Sequence, residues 1–161
     1  MKKTLLLFPY TLLALFVYSQ QILLADLKPL EGNWKGSLTY LDYSSGKPFT
    51  MPANITIRTF SEKKGIIMQY IYPNEPHANG ADTILLTKDF LGDEKIASIK
   101  KSNPVAFLLI TEKAGVDGND NKMAQFRHTY RVTNNKLSIR KEVKFAGTEA
   151  WIIRNEYVLN K

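Results

Sequence analysis

The side chains best suited to chemistry in this sequence stand singly among apolar neighbours, at spacings of two. His128 and Tyr130 alternate with Phe126 and Val132, Lys141 falls between Ile139 and Val143, and Asn155 falls between Ile153 and Tyr157. In extended chain, residues two apart share a face, so each polar group is placed on an otherwise dry surface. A lysine there is costly unless an anion meets it. That anion is either a ligand carboxylate or Asp42, at the far end of the first extended run. A bulge that turns Lys141 outward, or an ammonium snorkelling to a rim, is the structural alternative. For His128 the plain reading is a hydrogen-bonded core imidazole, and the functional one is a ligand contact or proton carrier. Tyr40, Tyr70, Tyr72 and Tyr130 are core residues with satisfied hydroxyls, or together the lining of an amphipathic cavity.

Other chemistry finds little support. His77 and His128 are the only histidines, far apart and without ligand spacing, and the chain has no cysteine. Asp117-Gly118-Asn119-Asp120-Asn121 has the acidic and amide spacing of a calcium loop. It lacks glycine at the sixth place, and His128 stands where the twelfth-place glutamate belongs, so it reads as a hairpin turn. No nucleophile elbow, phosphate loop or carboxylate pair stands out. The sequence therefore calls for no catalytic constellation, no metal and no cofactor.

The elements that must position these groups begin after a leader. Met1-Lys2-Lys3 is a basic start, Leu5–Val17 an apolar run, and Ser19 a small residue suited to precede a cut. That is the layout of a secretory signal peptide over residues 1–19, with cleavage as far on as Ala25 as an alternative. A spanning helix needs about 20 apolar residues, more than this run supplies unless it continues through Ile22-Leu23-Leu24-Ala25. Export to periplasm, cell surface or medium is expected, and the short Lys-Lys leader has a bacterial look. The 161 residues favour one domain, over 28–161, held together by its core because disulfides are impossible.

The formal charge is +7, two of which belong to the leader. The positive charges are scattered singly or in pairs such as Lys63-Lys64 and Arg140-Lys141. Nothing has the aromatic-basic pattern of a nucleic-acid module, so no nucleic-acid partner is expected, and any membrane contact is transient. Nothing in the sequence sets an oligomeric state.

Beyond the leader, helical periodicity is almost absent. Nine runs rich in Ile, Val, Thr, Tyr and Phe are separated by short Gly, Pro, Asn and Asp clusters. Connections this short join antiparallel neighbours. A meander this long tends to close, because closure removes exposed edges. The expected fold is all-β: an antiparallel up-and-down meander barrel of about 8–10 strands. Trp34, Gly36, Leu38 and Tyr40 share the dry face of the first run, and Trp151, Ile153, Tyr157 and Leu159 that of the last. Ile66-Ile67-Met68 and Ala106–Ile110 are apolar on both faces, and one of them is expected to lie beneath Ile22–Leu30 or to line an interface.

With Gly32-Asn33-Trp34 opening the first strand and Arg154 in the last, the chain resembles the calycins, the superfamily of lipocalins and fatty-acid-binding proteins. In that resemblance Gly32 and Trp34 mark the closed end of the barrel, and a basic residue from a late strand, here Arg154, packs over the indole. The helix before the last strand and the disulfide of typical lipocalins are missing, as are the two helices that fatty-acid-binding proteins insert after their first strand.

The expected function is that of a secreted, lipocalin-like binder of a small hydrophobic or amphipathic molecule, with an anionic one as an option, held by Tyr40, Tyr70, His128, Tyr130, Lys141 and Asn155. Two alternatives stand beside it. One is a filled barrel acting through its surface in the envelope or on a protein partner, with Tyr72–Gly80 as contact loop. The other is a lipid-modifying enzyme with His128, Tyr130 or Lys141 as proton carriers.

Overall fold

The alternating runs become ten antiparallel strands: β1 (Gly32–Asp42), β2 (Lys47–Phe60), β3 (Gly65–Ile71), β4 (Gly80–Leu85), β5 (Phe90–Leu91), β6 (Glu94–Asn103), β7 (Ala106–Asp117), β8 (Lys122–Thr133), β9 (Lys136–Phe145) and β10 (Ile152–Asn160). The structure is a computed structural model, and it describes residues 22–42, 44–103 and 106–161. The expected leader, residues 1–19, lies outside the described residues. Two short 3-10 segments, Leu24–Leu30 and Pro76–Ala78, are the only helical elements among them, and neither is long and apolar enough to cross a membrane.

All ten strands form one sheet in the order β4-β3-β2-β1-β10-β9-β8-β7-β6-β5. Each strand lies beside its neighbours in sequence, and the last also pairs with the first, from Lys35 opposite Asn160 to Tyr40 opposite Asn155. The result is a nearly closed up-and-down barrel. Its seam lies between β4 and β5, where one bridge, Leu86 to Leu91, and the Gly92 N–H to Leu85 carbonyl bond of 2.7 Å join the edges.

The structure has ten strands where the sequence shows nine runs. Thr87 turns back to bond the Phe90 carbonyl through its N–H at 2.9 Å, separating β4 from β5. In β10 the register slips between Ile153 and Asn155. A bulge of this kind reverses the facing of what precedes it. Asn155, Tyr157 and Leu159 therefore face inward as expected, whereas Ile153 is 48% exposed. Trp151 lies outside the barrel, with the Arg127 guanidinium 4.0 Å from its ring centre.

The segment Leu24–Leu30 stoppers one end of the barrel. Leu27 and Leu30 are fully buried in the cluster that holds Trp34, Ile55, Ile57, Ile66 and Met68. Ile66 and Met68 thus lie against Ile22–Leu30, while Ile67 faces outward. Trp34, 1% exposed, donates its indole N–H to the Leu30 carbonyl at 2.8 Å, pinning the stopper to β1. Lys101 ties its other side through an ion pair with Asp26.

The cation over Trp34 is Lys161, its ammonium 4.7 Å from the ring centre, and not Arg154. Arg154 sits at the opposite end of β10, where it donates to the Leu41 carbonyl and approaches Asp117 Oδ2 at 3.5 Å. Trp34 and Leu159 face inward at the stoppered end, so Lys161, which follows β10 directly, brings its ammonium over the indole. Gly32, at φ +146°, makes this contact feasible, because a Cβ there would stand 2.6 Å from Lys161 Cε.

Gly36 serves closure itself. A Cβ at this position would lie 2.1 Å from the Val158 carbonyl oxygen of β10, a backbone atom that cannot step aside. Gly36→Ala is expected to cost about 3 kcal/mol or more, or to prevent folding. Gly80→Ala, where the added carbon meets nothing within 4 Å, is the matched control. Chemical denaturation of both variants checks this, and equal midpoints would show that the first and last strands need no such closeness.

Candidate functional site

The register of the last strands stacks the interior in layers. Thr111, His128, Lys141, Asn155 and Tyr40 are successive partners across β7, β8, β9, β10 and β1. The next layer toward the stopper is Leu109, Tyr130, Ile139, Tyr157 and Leu38. A polar belt therefore lies directly above an apolar one, as residues two apart on inward faces must. Above the stopper the belt borders a solvent-connected cavity of about 520 Å³. That volume lies within the roughly 300–1,000 Å³ common for small-molecule sites.

Five of the six residues singled out as ligand-binding line this cavity: Tyr70, His128, Tyr130, Lys141 and Asn155. Tyr40 does not. It is opposite Asn155 in register, but its ring packs on Phe49 with centres 5.5 Å apart. Asp42 does not pair with Lys141 either. Its carboxylate caps the β1–β2 turn, accepting from Ser44 N–H at 2.9 Å and the Ser45 hydroxyl at 2.6 Å. Asp117–Asn121 is a hairpin turn between β7 and β8, closed by Asn121 N–H on the Gly118 carbonyl at 3.1 Å. No group of three or more potential metal ligands occurs among the described residues.

The interior is not filled at this end, and its walls are more polar than an oil-binding barrel requires. Tyr72 and Tyr157 join their hydroxyls at 2.6 Å, and Tyr70 reaches Met68 Sδ at 3.7 Å. Burial pushes the hydroxyls of Tyr70, Tyr130 and Tyr157 well above their usual range, so all three stay neutral hydrogen-bonding groups. The loop after β3 forms part of the rim: Ala78 and Gly80 line the cavity, and Tyr72 N–H to Asn79 Oδ1 at 2.7 Å folds the loop over.

The residue the sequence reading missed is Glu94, at the start of β6. It is 8% exposed, and His128 Nδ1 lies 2.8 and 2.9 Å from its two oxygens. The buried hydroxyl of Thr111 donates to the same carboxylate, and Lys113 Nζ stands 3.7 Å away. The available signal was phase: Glu94 lies two residues before Ile96, whose partner in β7 is inward Thr111. Asp82, Tyr72 and Tyr157 also line the cavity without having been singled out as ligand contacts.

Lys141 has a different environment. Its ammonium lies over the Phe126 ring at 4.6 Å, and none of the ion pairs among the described residues includes it. Burial pulls its pKa down, with Lys113 and Arg154 acting in the same sense against Asp117 and Glu94.

No protein-family model matches the chain, and no curated protein does. Among solved structures it is similar to Rv2717c from M. tuberculosis, at 14% identity and a TM-score of 0.59, over 86% of this chain and 96% of that one. It also matches a protein of Bacteroides fragilis, assigned provisionally to the outer membrane, at 15% identity and a TM-score of 0.42, over 86% of this chain and 53% of that one. The first likeness is one of fold, in keeping with the barrel; the second is too loose to carry an argument.

Burial is the largest influence on Glu94 and raises its pKa, but His128, Thr111 and Lys113 together outweigh it and leave the carboxyl below its ordinary 4.5. A carboxyl lowered on folding stabilises the fold above its unfolded pKa, and that contribution is lost as pH falls through the folded value. Glu94→Gln is therefore expected to cost about 1–3 kcal/mol at pH 7, and clearly less near pH 3. Denaturation midpoints at the two pH values give the comparison; an equal loss at both would mean that the charge of Glu94 is immaterial.

Proposed function

We propose that this chain is an exported, calycin-like barrel that binds a small amphipathic anion in the cavity above its stoppered end. The observation that carries the reading is Lys141: a half-buried ammonium in the cavity wall, over an aromatic ring, with no carboxylate partner among the described residues. A desolvated cation facing a cavity is costly until an anion reaches it. A ligand carboxylate or enolate oxygen supplies that anion, and Asn155 and His128, its register partners on either side, supply polar contacts. The neutral tyrosines favour a ligand body that is aromatic, or that carries hydroxyl or carbonyl groups, over a plain alkyl chain. Export rests on the leader reading. The surface-acting alternative requires a filled interior, and the cavity counts against it.

Binding of 2-naphthoate and of 2-naphthylmethanol by the parent and Lys141→Met separates charge from burial. Removing the counter-ion is expected to weaken 2-naphthoate by about tenfold, or 1.4 kcal/mol, and to leave 2-naphthylmethanol unchanged. Equal 2-naphthoate affinity in the two proteins would remove Lys141 from the account. Failure of the parent to bind either compound would overturn the binding reading.

A further inference from the structure

The His128–Glu94 pair has a geometry that simple binding does not require. An ionised carboxylate only accepts hydrogen bonds. With both Glu94 oxygens within 2.9 Å of Nδ1, the proton of a neutral His128 must sit on Nδ1. The lone pair is then on Nε2, the ring nitrogen left for a ligand in the cavity that His128 lines. Thr111 and Lys113 hold the carboxylate in turn. A base oriented by a carboxylate that is itself held in place is the arrangement general-base catalysis needs. Beside it on β9, directly opposite in register, stands the Lys141 ammonium, with the Tyr130 ring 6.4 Å from His128.

We propose that the cavity is a proton-transfer site, in which His128 Nε2 removes a proton from a carbon acid, Glu94 positions the imidazole, and Lys141 holds the oxyanion that forms. The proposal rests on the cavity being a binding site for anions with Lys141 as counter-ion. The substrate class is a small aromatic or amphipathic compound with an acidic C–H conjugated to a carbonyl or another electron-accepting oxygen. For an enolisable ketone the C–H electron pair becomes the C=C bond and the carbonyl pair moves to oxygen, facing Lys141. Where the ketone also carries a β,γ double bond, the β,γ pair takes the proton from Nε2 at the γ-carbon, the enolate C=C pair moves to α,β and the oxygen pair re-forms C=O, so the net change is an isomerisation that needs no oxidant, reductant or second substrate. No side chain in this arrangement acts as a nucleophile, which separates the proposal from acyl or phosphoryl transfer.

The test uses 5-nitrobenzisoxazole, whose reaction consists of one such proton transfer. The base takes the proton from C3, the C–H pair completes the nitrile, the N–O bond breaks, and the pair ends on oxygen as a coloured phenolate. The parent is expected to exceed equimolar imidazole by about a hundredfold, with saturation. His128→Gln should fall to the imidazole level, and Lys141→Met should fall at least about tenfold. Affinity for the phenolate product, measured by calorimetry, should survive in His128→Gln. Nitrogen NMR of the parent, which needs no variant to fold, should show the proton on Nδ1 and a free Nε2, a state that Glu94→Gln scrambles. A parent that binds the phenolate yet does not outpace imidazole, or a His128→Gln protein as fast as the parent, overturns the proton-transfer role and leaves the binding reading intact. A parent that neither binds the phenolate nor turns over the probe overturns both.

Discussion

The barrel and its cavity depend on the first strand hydrogen-bonding to the last. Without the β1–β10 ladder the meander is an open sheet with two exposed edges. With it, the free edges meet at the β4–β5 seam, where the one bridge and the Gly92 bond suffice because the connecting turn already holds them together. The ladder joins residues at opposite ends of the chain, so its loop-closure entropy comes late and folding is expected to be slow for the chain's size. The ladder also dictates the close approach at Gly36, since a strand pair drawn this tightly leaves no room for a side chain between β1 and β10. Lys161 over Trp34 and Trp34 on Leu30 fasten the same junction from the stoppered end.

Closure also decides where polar groups can be tolerated. Leu109, Ile139 and their partners form a more apolar layer on the stopper side of the belt. One layer further out, solvent enters, and the same inward positions carry Thr111, His128, Lys141 and Asn155. A buried polar atom needs a partner, and the described residues hold no fully buried side-chain nitrogen or oxygen without one. The belt is thus as deep as polar side chains can sit before the barrel would have to satisfy them by packing alone.

The sequence was most legible where a single physical rule governs. Period-two alternation placed His128, Tyr130, Lys141 and Asn155 on inward faces, and all four line the cavity. It failed where one residue breaks the period. The slip at Ile153–Asn155 turned Ile153 and Trp151 outward, although alternation had put them on the inner face with Tyr157. Long-range partners were the least legible. Neither the substitution of Lys161 for Arg154 over Trp34 nor the pairing of Glu94 with His128 can be read from spacing, because each depends on register accumulated across several strands. Tyr40 shows the remaining limit: its layer was right, but a neighbouring aromatic, Phe49, claimed its ring.

The charges around the belt bear on the proposed ligand, and they favour one negative group over several. Lys113 is held by Asp93 at 3.1 Å, Arg154 faces Asp117 at 3.5 Å, and His128 is engaged with Glu94. The cations Lys113 and Arg154 have their counter-charges within the protein, so a second negative group would have to compete with Asp93 and Asp117 for them. Lys141 alone stands outside these pairs, and Phe126 offers it only a ring face. The proposed ligand, bearing one anionic oxygen, would complete the set. A ligand that gains such an oxygen only after losing a proton would be neutral on arrival and charged where Lys141 can meet it, which is how the proposed binding and the proposed proton transfer fit one constellation.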